Sequence, residues 1–140
     1  MVAFRSGAVN PPIKEKIYRD LGITFNPHPV TKKVKILENE EAIKRAIKNL
    51  ILTNKGEKPF RPLYGGNITA FLFENFDAST EQNIKSRIAR TVNTYEPRVN
   101  LIGSEVTASE DNNSLDIKIF FEIIATNRIV ETSFTVERIR

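Results

Sequence analysis

The sequence contains no cysteine, which excludes disulfide frameworks, zinc–thiolate sites and thiol nucleophiles. Histidine is almost as scarce. The single one, His28, sits between Pro27 and Pro29, where it reads as a turn residue in a proline-rich loop. A serine or cysteine hydrolase triad and most transition-metal sites therefore lack their essential parts. No glycine-rich phosphate loop is present, because Gly65-Gly66 is not followed by the lysine and hydroxyl residue that hold a nucleotide and its magnesium. No apolar run is long enough for a signal peptide or membrane span, the stretch Met1 to Pro12 included, so the expectation is a protein made in the cytoplasm with no membrane partner. Strong charge is lacking too. The formal net charge is +4, and the one tight basic cluster, Lys32, Lys33 and Lys35, has no interleaved aromatics to stack on bases, so no nucleic acid is expected as a partner. No cofactor is called for.

What is present suffices for one core. The chain has 140 residues and 40% hydrophobic content, within the usual single-domain range. There is no internal repeat, and five breaks divide the sequence: Pro11-Pro12, Asn26-Pro27-His28-Pro29, Lys55-Gly56, Gly65-Gly66 and Asp111-Asn112-Asn113. Residues 1–12 are expected to be a mobile N-terminal arm that orders against a neighbouring chain, and 13–140 a single domain. Ile17 to Phe25 is expected to be extended, confined to a sheet edge by Pro27 and Pro29.

After an apolar stretch at Val34 to Leu37, Asn39 is expected to cap a helix with Glu40 and Glu41 in its first turn. Ala42, Ile43, Ala46, Ile47, Leu50 and Ile51 recur at helical spacing, with Gly56 as the expected stop. Asn67 is expected to cap a shorter helix through Phe71, Leu72 and Phe73. Ser79 and Gln82 have capping-box spacing for a third helix carrying Ile84, Ile88, Val92 and Tyr95, which Pro97 ends. Beyond Pro97 the period falls to two. Leu115, Ile117, Ile119, Phe121 and Ile123 alternate with Asp116, Lys118, Phe120 and Glu122, flanked by a strand over Val99 to Thr107 and another through Val130, Thr132, Phe134 and Val136. The fold class is α+β: helices packed on a small antiparallel sheet, a C-terminal three-strand meander, with an N-terminal edge strand as an additional element. The meander would leave two open edges, which are either protected or used to accept a strand from another chain.

Paired carboxylates are the one catalytic option, since glycoside hydrolysis needs a raised-pKa acid and a second carboxylate across the sugar bond. Glu57 and Glu96 are the candidates, although each has a neighbouring cation in sequence that favours the ionised state. Two other segments stand out. Gly56-Glu57-Lys58-Pro59-Phe60-Arg61-Pro62-Leu63-Tyr64-Gly65 specifies a rigid shaped loop between helices, and Tyr95-Glu96-Pro97-Arg98 a locked corner between helix and strand. The corner admits a plain structural reading, an ion pair between Glu96 and Arg98.

Together, the helix ending Asn49-Leu50-Ile51-Leu52-Thr53, the loop Gly56 to Pro62 and the corner Glu96-Pro97-Arg98 resemble the baseplate wedge and sheath-initiator family of contractile-tail bacteriophages, which includes a type VI secretion counterpart. The resemblance runs from roughly Asp20 to Arg138 and departs at Lys58, where arginine often follows the glutamate. It implies a structural, non-enzymatic virion protein of the tail baseplate, assembled in the host cytoplasm, present in several copies in a hetero-oligomer around the tail tube. Its implied partners are the wedge core-bundle proteins and the tail sheath protein, and strand augmentation would initiate the sheath. The partner-binding residues so implied are Glu96, Pro97 and Arg98, together with Gly56, Glu57, Phe60 and Pro62. The family is also called lysozyme-like. A peptidoglycan hydrolase would require Glu57 or Glu96 to line a saccharide-sized cleft with a second carboxylate about 5 to 9 Å away.

Overall fold

A computed structural model describes residues 18–21, 27, 29–30, 32–33, 36–109 and 114–137. Along the chain these form β1 (Arg19–Leu21), β2 (Ile36–Glu38), α1 (Glu40–Leu52), a 3-10 helix (Ile68–Phe73), α2 (Ala78–Tyr95), β3 (Val99–Ala108), β4 (Ser114–Ile123) and β5 (Arg128–Glu137). The expected arm at 1–12, His28 and the turn at 111–113 lie outside the described residues.

Period-two alternation places β4 at the centre of an antiparallel sheet of order β3-β4-β5. Leu115, Ile117, Ile119, Phe121 and Ile123 are all buried on one face, while Asp116 and Lys118 face water. Both helices cover the buried face, α2 against β3 and α1 reaching β5. Ile43, Ile47 and Ile51 from α1 join Ile84, Ile88 and Val92 from α2 in one core cluster with the sheet. Each such side chain withdrawn from water contributes about 1.5–3 kcal/mol, which is why the pattern overrides weak local preferences. The α+β architecture and the meander are as expected. β3 and β5 are its edges, each unpaired on its outer side among the described residues.

Several local expectations are corrected. The N-terminal extended segment does not join the meander: β1 pairs antiparallel with β2, and the two form a separate sheet. Asn39 precedes α1, but its side chain makes no capping bond there. Its Oδ1 accepts from the Tyr18 N–H at 3.1 Å and its N–H donates to the Tyr18 carbonyl at 2.7 Å, so it stitches the β1 segment to the start of the helix. Ala46 is only half-buried, and Ala42 lies deeper in the core-facing stripe.

Helix α1 stops at Leu52, not at Gly56. Thr53 turns extended, and both its N–H and its hydroxyl donate to the Asn49 carbonyl. Asn67 precedes the 3-10 helix without a side-chain cap bond. For α2 the cap is Asp77, whose carboxylate accepts the Thr80 N–H at 2.7 Å, so Ser79 and Gln82 lie inside the helix and form no capping box. That contact holds the Asp77 carboxyl below its ordinary value, chiefly through the Thr80 N–H and then the Thr80 hydroxyl.

Candidate partner-binding site

The chain from Lys55 to Gly66 leaves α1, makes a loop and returns against the end of the same helix. Gly66 N–H donates to the Leu50 carbonyl at 3.0 Å, and Asn67 N–H to the Thr53 carbonyl at 3.2 Å, which satisfies carbonyls that a helix end leaves open. Gly65 sits at φ +110, and a Cβ there would lie 2.2 Å from the Thr53 oxygen, so only glycine permits this return. Inside the loop, Gly56 N–H donates to the Pro62 carbonyl at 2.8 Å, and Glu57 turns its carboxylate back onto the Asn54 N–H at 2.7 Å. Phe60 stands at the tip with φ +64 and its ring fully exposed, while Pro62 is exposed beside it.

The loop and the helix–strand corner meet through two tyrosines, one from each of the segments that stand out in the sequence. The rings of Tyr64 and Tyr95 pack with centroids 5.0 Å apart, and Tyr95 Oη donates to the Leu63 carbonyl at 3.0 Å. Lys58 Nζ lies 3.9 Å from the centre of the Tyr64 ring. Burial raises the Tyr64 hydroxyl pKa above its ordinary value, and the negative charge of Glu96 raises it further. Nothing in the spacing between residues 64 and 95 announces this contact; packing of α2 against the returning loop creates it.

At the corner, Glu96 is buried, and both its oxygens are taken by Arg98, Nε on Oε1 at 2.5 Å and Nη2 on Oε2 at 2.6 Å. This bidentate pair holds the Arg98 guanidinium pKa above the usual arginine range. Arg98 also lies over the Tyr18 ring, 5.2 Å from its centre. Its carbonyl accepts the Ile124 N–H at 3.1 Å, which fastens the corner to the end of β4. Pro97 is exposed. The two acids are thus engaged within the chain, and the corner turns Pro97 and part of Arg98 outward.

Glu57 lines an open pocket of about 570 Å³ with Asn49, Thr53, Lys58 and Tyr64, and Glu96 is not among its lining residues. The described residues contain no group of three or more side chains able to hold a metal ion, and none of their helices is long and apolar enough to cross a membrane.

The family model described as baseplate wedge protein gp25 matches residues 37–128. The chain is 32% identical over 83 residues to baseplate wedge protein gp25 of Enterobacteria phage T4, an alignment that covers 59% of this chain and 63% of that relative's own length. Its fold is similar to that of a protein from Geobacter sulfurreducens provisionally named a tail lysozyme, with TM-score 0.65, 24% identity, and coverage of 72% of this chain and 92% of the other. It is similar also to a chain of the anti-feeding prophage baseplate, with TM-score 0.60 and 22% identity over 89% of this chain and 88% of that one. A chain of the postcontracted pyocin R2 baseplate matches with TM-score 0.51 and 17% identity, over 85% and 99% of the two chains.

Proposed function

The chain belongs to the gp25 family of baseplate wedge proteins, and from that premise we propose that it is a structural subunit of a contractile-tail baseplate that docks on the wedge core bundle and starts the sheath. The observation that carries this reading is the extent of the family match, which spans the loop, the corner and the first two strands of the meander. The paired Glu96 and Arg98 hold Pro97 and the outer side of the guanidinium in one orientation, as a preorganised contact needs. On the sheet side, exposed Ile102 on the β3 bulge and exposed Ile129 on β5 lie on open edge strands, a surface suited to accepting a sheath strand. The tail tube would be a neighbour in the same assembly.

The arrangement of carboxylates also favours a structural role over peptidoglycan cleavage. A general acid must present its carboxyl to the leaving oxygen, and both oxygens of Glu96 are already occupied by Arg98 of the same chain. One oxygen of the Glu57 carboxylate accepts the Asn54 N–H. The test is co-purification of the wild-type chain and a Glu96→Ala, Arg98→Ala double variant with wedge core-bundle and sheath proteins, with circular dichroism to monitor the fold. Loss of wedge binding by a folded variant supports docking through the corner; undiminished binding removes the corner from the interface. Peptidoglycan hydrolysis by the wild type that Glu57→Gln or Glu96→Gln abolishes would make the protein an enzyme instead.

A further inference from the structure

Phe60, one of the residues the resemblance implies in partner binding, gives the loop tip a chemistry that narrows the kind of partner it fits. Phe60 is a bulky aromatic in the left-handed region, where only glycine and a few small polar residues sit without strain, yet it touches so little of its own chain that its ring is fully exposed. An exposed strained aromatic contributes nothing to this fold, and strain of this kind collects where a surface is held ready for a partner. The mounting is stiff. The Gly56 to Pro62 bond closes the base of the loop, Arg61 N–H donates to the Lys58 carbonyl at 3.2 Å, and Tyr64 N–H to the Arg61 carbonyl at 3.0 Å.

The exposed charges of the loop are mostly basic. Lys55, Lys58 and Arg61 are exposed on the loop, and Lys55 shares a pocket of about 260 Å³ with Leu63, Arg87 and Arg90, the last two from α2. Among the described residues none of these five cations is in an ion pair. The nearby acids are Glu57, folded back on Asn54, Glu74, which lines a neighbouring pocket with Arg87 and Arg90, and Glu96, which is taken by Arg98. Leu63 adds a second exposed apolar side chain next to the knob.

Building on the wedge reading, we propose that Phe60 is an aromatic knob that inserts into an apolar socket of a second baseplate protein, and that this socket is rimmed by aspartates and glutamates that pair with Lys55, Arg61 and Arg90. An aromatic anchor at the centre with arginines at the rim is the composition of an interface hot spot. A single-stranded nucleic acid would also meet the cations, but it needs a series of free ring faces, and here Tyr64 and Tyr95 are packed on each other while Leu63 offers none.

The experiment places p-benzoyl-phenylalanine at position 60 of the full chain in cells that assemble particles, crosslinks with ultraviolet light, and sequences the attached peptide by mass spectrometry. The expected result is one dominant peptide from another baseplate protein, with carboxylates flanking the crosslinked apolar residue. That partner is then titrated against variants. Phe60→Gly should melt no lower than the wild type, because it relieves the strained residue, and should bind about tenfold or more weakly. Arg61→Glu should bind as weakly, and Phe60→Leu should retain part of the affinity. A crosslink to nucleic acid, a crosslink to a basic peptide, or no crosslink from particles that contain the chain overturns the proposal and leaves the wedge reading standing. Absence of the chain from purified particles overturns the wedge reading, and the proposal with it.

Discussion

Replacing Gly65 by alanine should destabilise the protein more than the same change at Gly56, and the cost can be built from two parts. The backbone there has φ +110, outside the regions open to a residue with a Cβ, which costs roughly 1–2 kcal/mol. The added Cβ would stand 2.2 Å from the Thr53 oxygen, 2.9 Å from its carbonyl carbon and 3.2 Å from its Cβ, and these atoms belong to a helix end that cannot swing aside. Relieving such an overlap costs about 1–3 kcal/mol. The sum is about 2–5 kcal/mol, and at roughly 3 °C per kcal/mol for a chain of this size Tm should fall by about 6–15 °C in a calorimetric or circular-dichroism melt. Gly56→Ala is the matched control. Gly56 also has positive φ, +84, but a Cβ there meets nothing within 4 Å, so only the backbone part applies and the cost should stay near 1 kcal/mol. Equal losses in the two variants would refute the argument that close approach to α1 is what demands Gly65. A larger loss in Gly65→Ala should come with faster hydrogen exchange at the Gly66 amide, which bonds the Leu50 carbonyl across this contact.

Two further outcomes follow from the charges. Removing Glu96 or Arg98 singly should cost about 2–4 kcal/mol in urea unfolding, below the figure for a fully buried pair because the Arg98 side chain is 31% exposed, and the double variant should cost clearly less than the sum of the two; strict additivity would show that the pair is not a unit. Asp77 has a folded-state carboxyl pKa below its unfolded value near 3.8, so the stability its charge contributes is present above that pH and is lost as pH falls through the lower folded value. The wild type should therefore exceed Asp77→Asn in urea midpoint at neutral pH and converge with it in strong acid; a gap that is constant across the range would assign the effect to something other than the charge.

The helices and the meander were legible because they rest on short-range patterns. Ile43, Ile47 and Ile51 repeat at helical spacing, and Leu115 to Ile123 alternate at every second position, and in each case the stripe the pattern marks is the face that is buried. Helix ends were read less well. Ser79 and Gln82 have the right spacing for a cap, but Asp77, two residues earlier, holds the Thr80 amide, because cap choice depends on where the preceding chain arrives. The loop and the corner were both marked by proline, glycine and charge. That they form one surface was not, since it rests on Tyr64 meeting Tyr95 across 31 positions of sequence.

The sequence by itself thus determined the α+β class, the meander and the two unusual segments, all of which follow from periodicity and from backbone restrictions local to proline and glycine. It determined as well the lack of thiol chemistry and of a histidine-based triad. The tertiary structure decided that β1 pairs with β2 and stays out of the meander. It decided between the readings of the corner, where Glu96 is bound by its own Arg98, and it held Phe60 outward on a strained, mostly basic loop. Those outcomes depend on which surfaces are close enough to bury, bond or repel one another, and such distances are set only when the helices settle on the sheet.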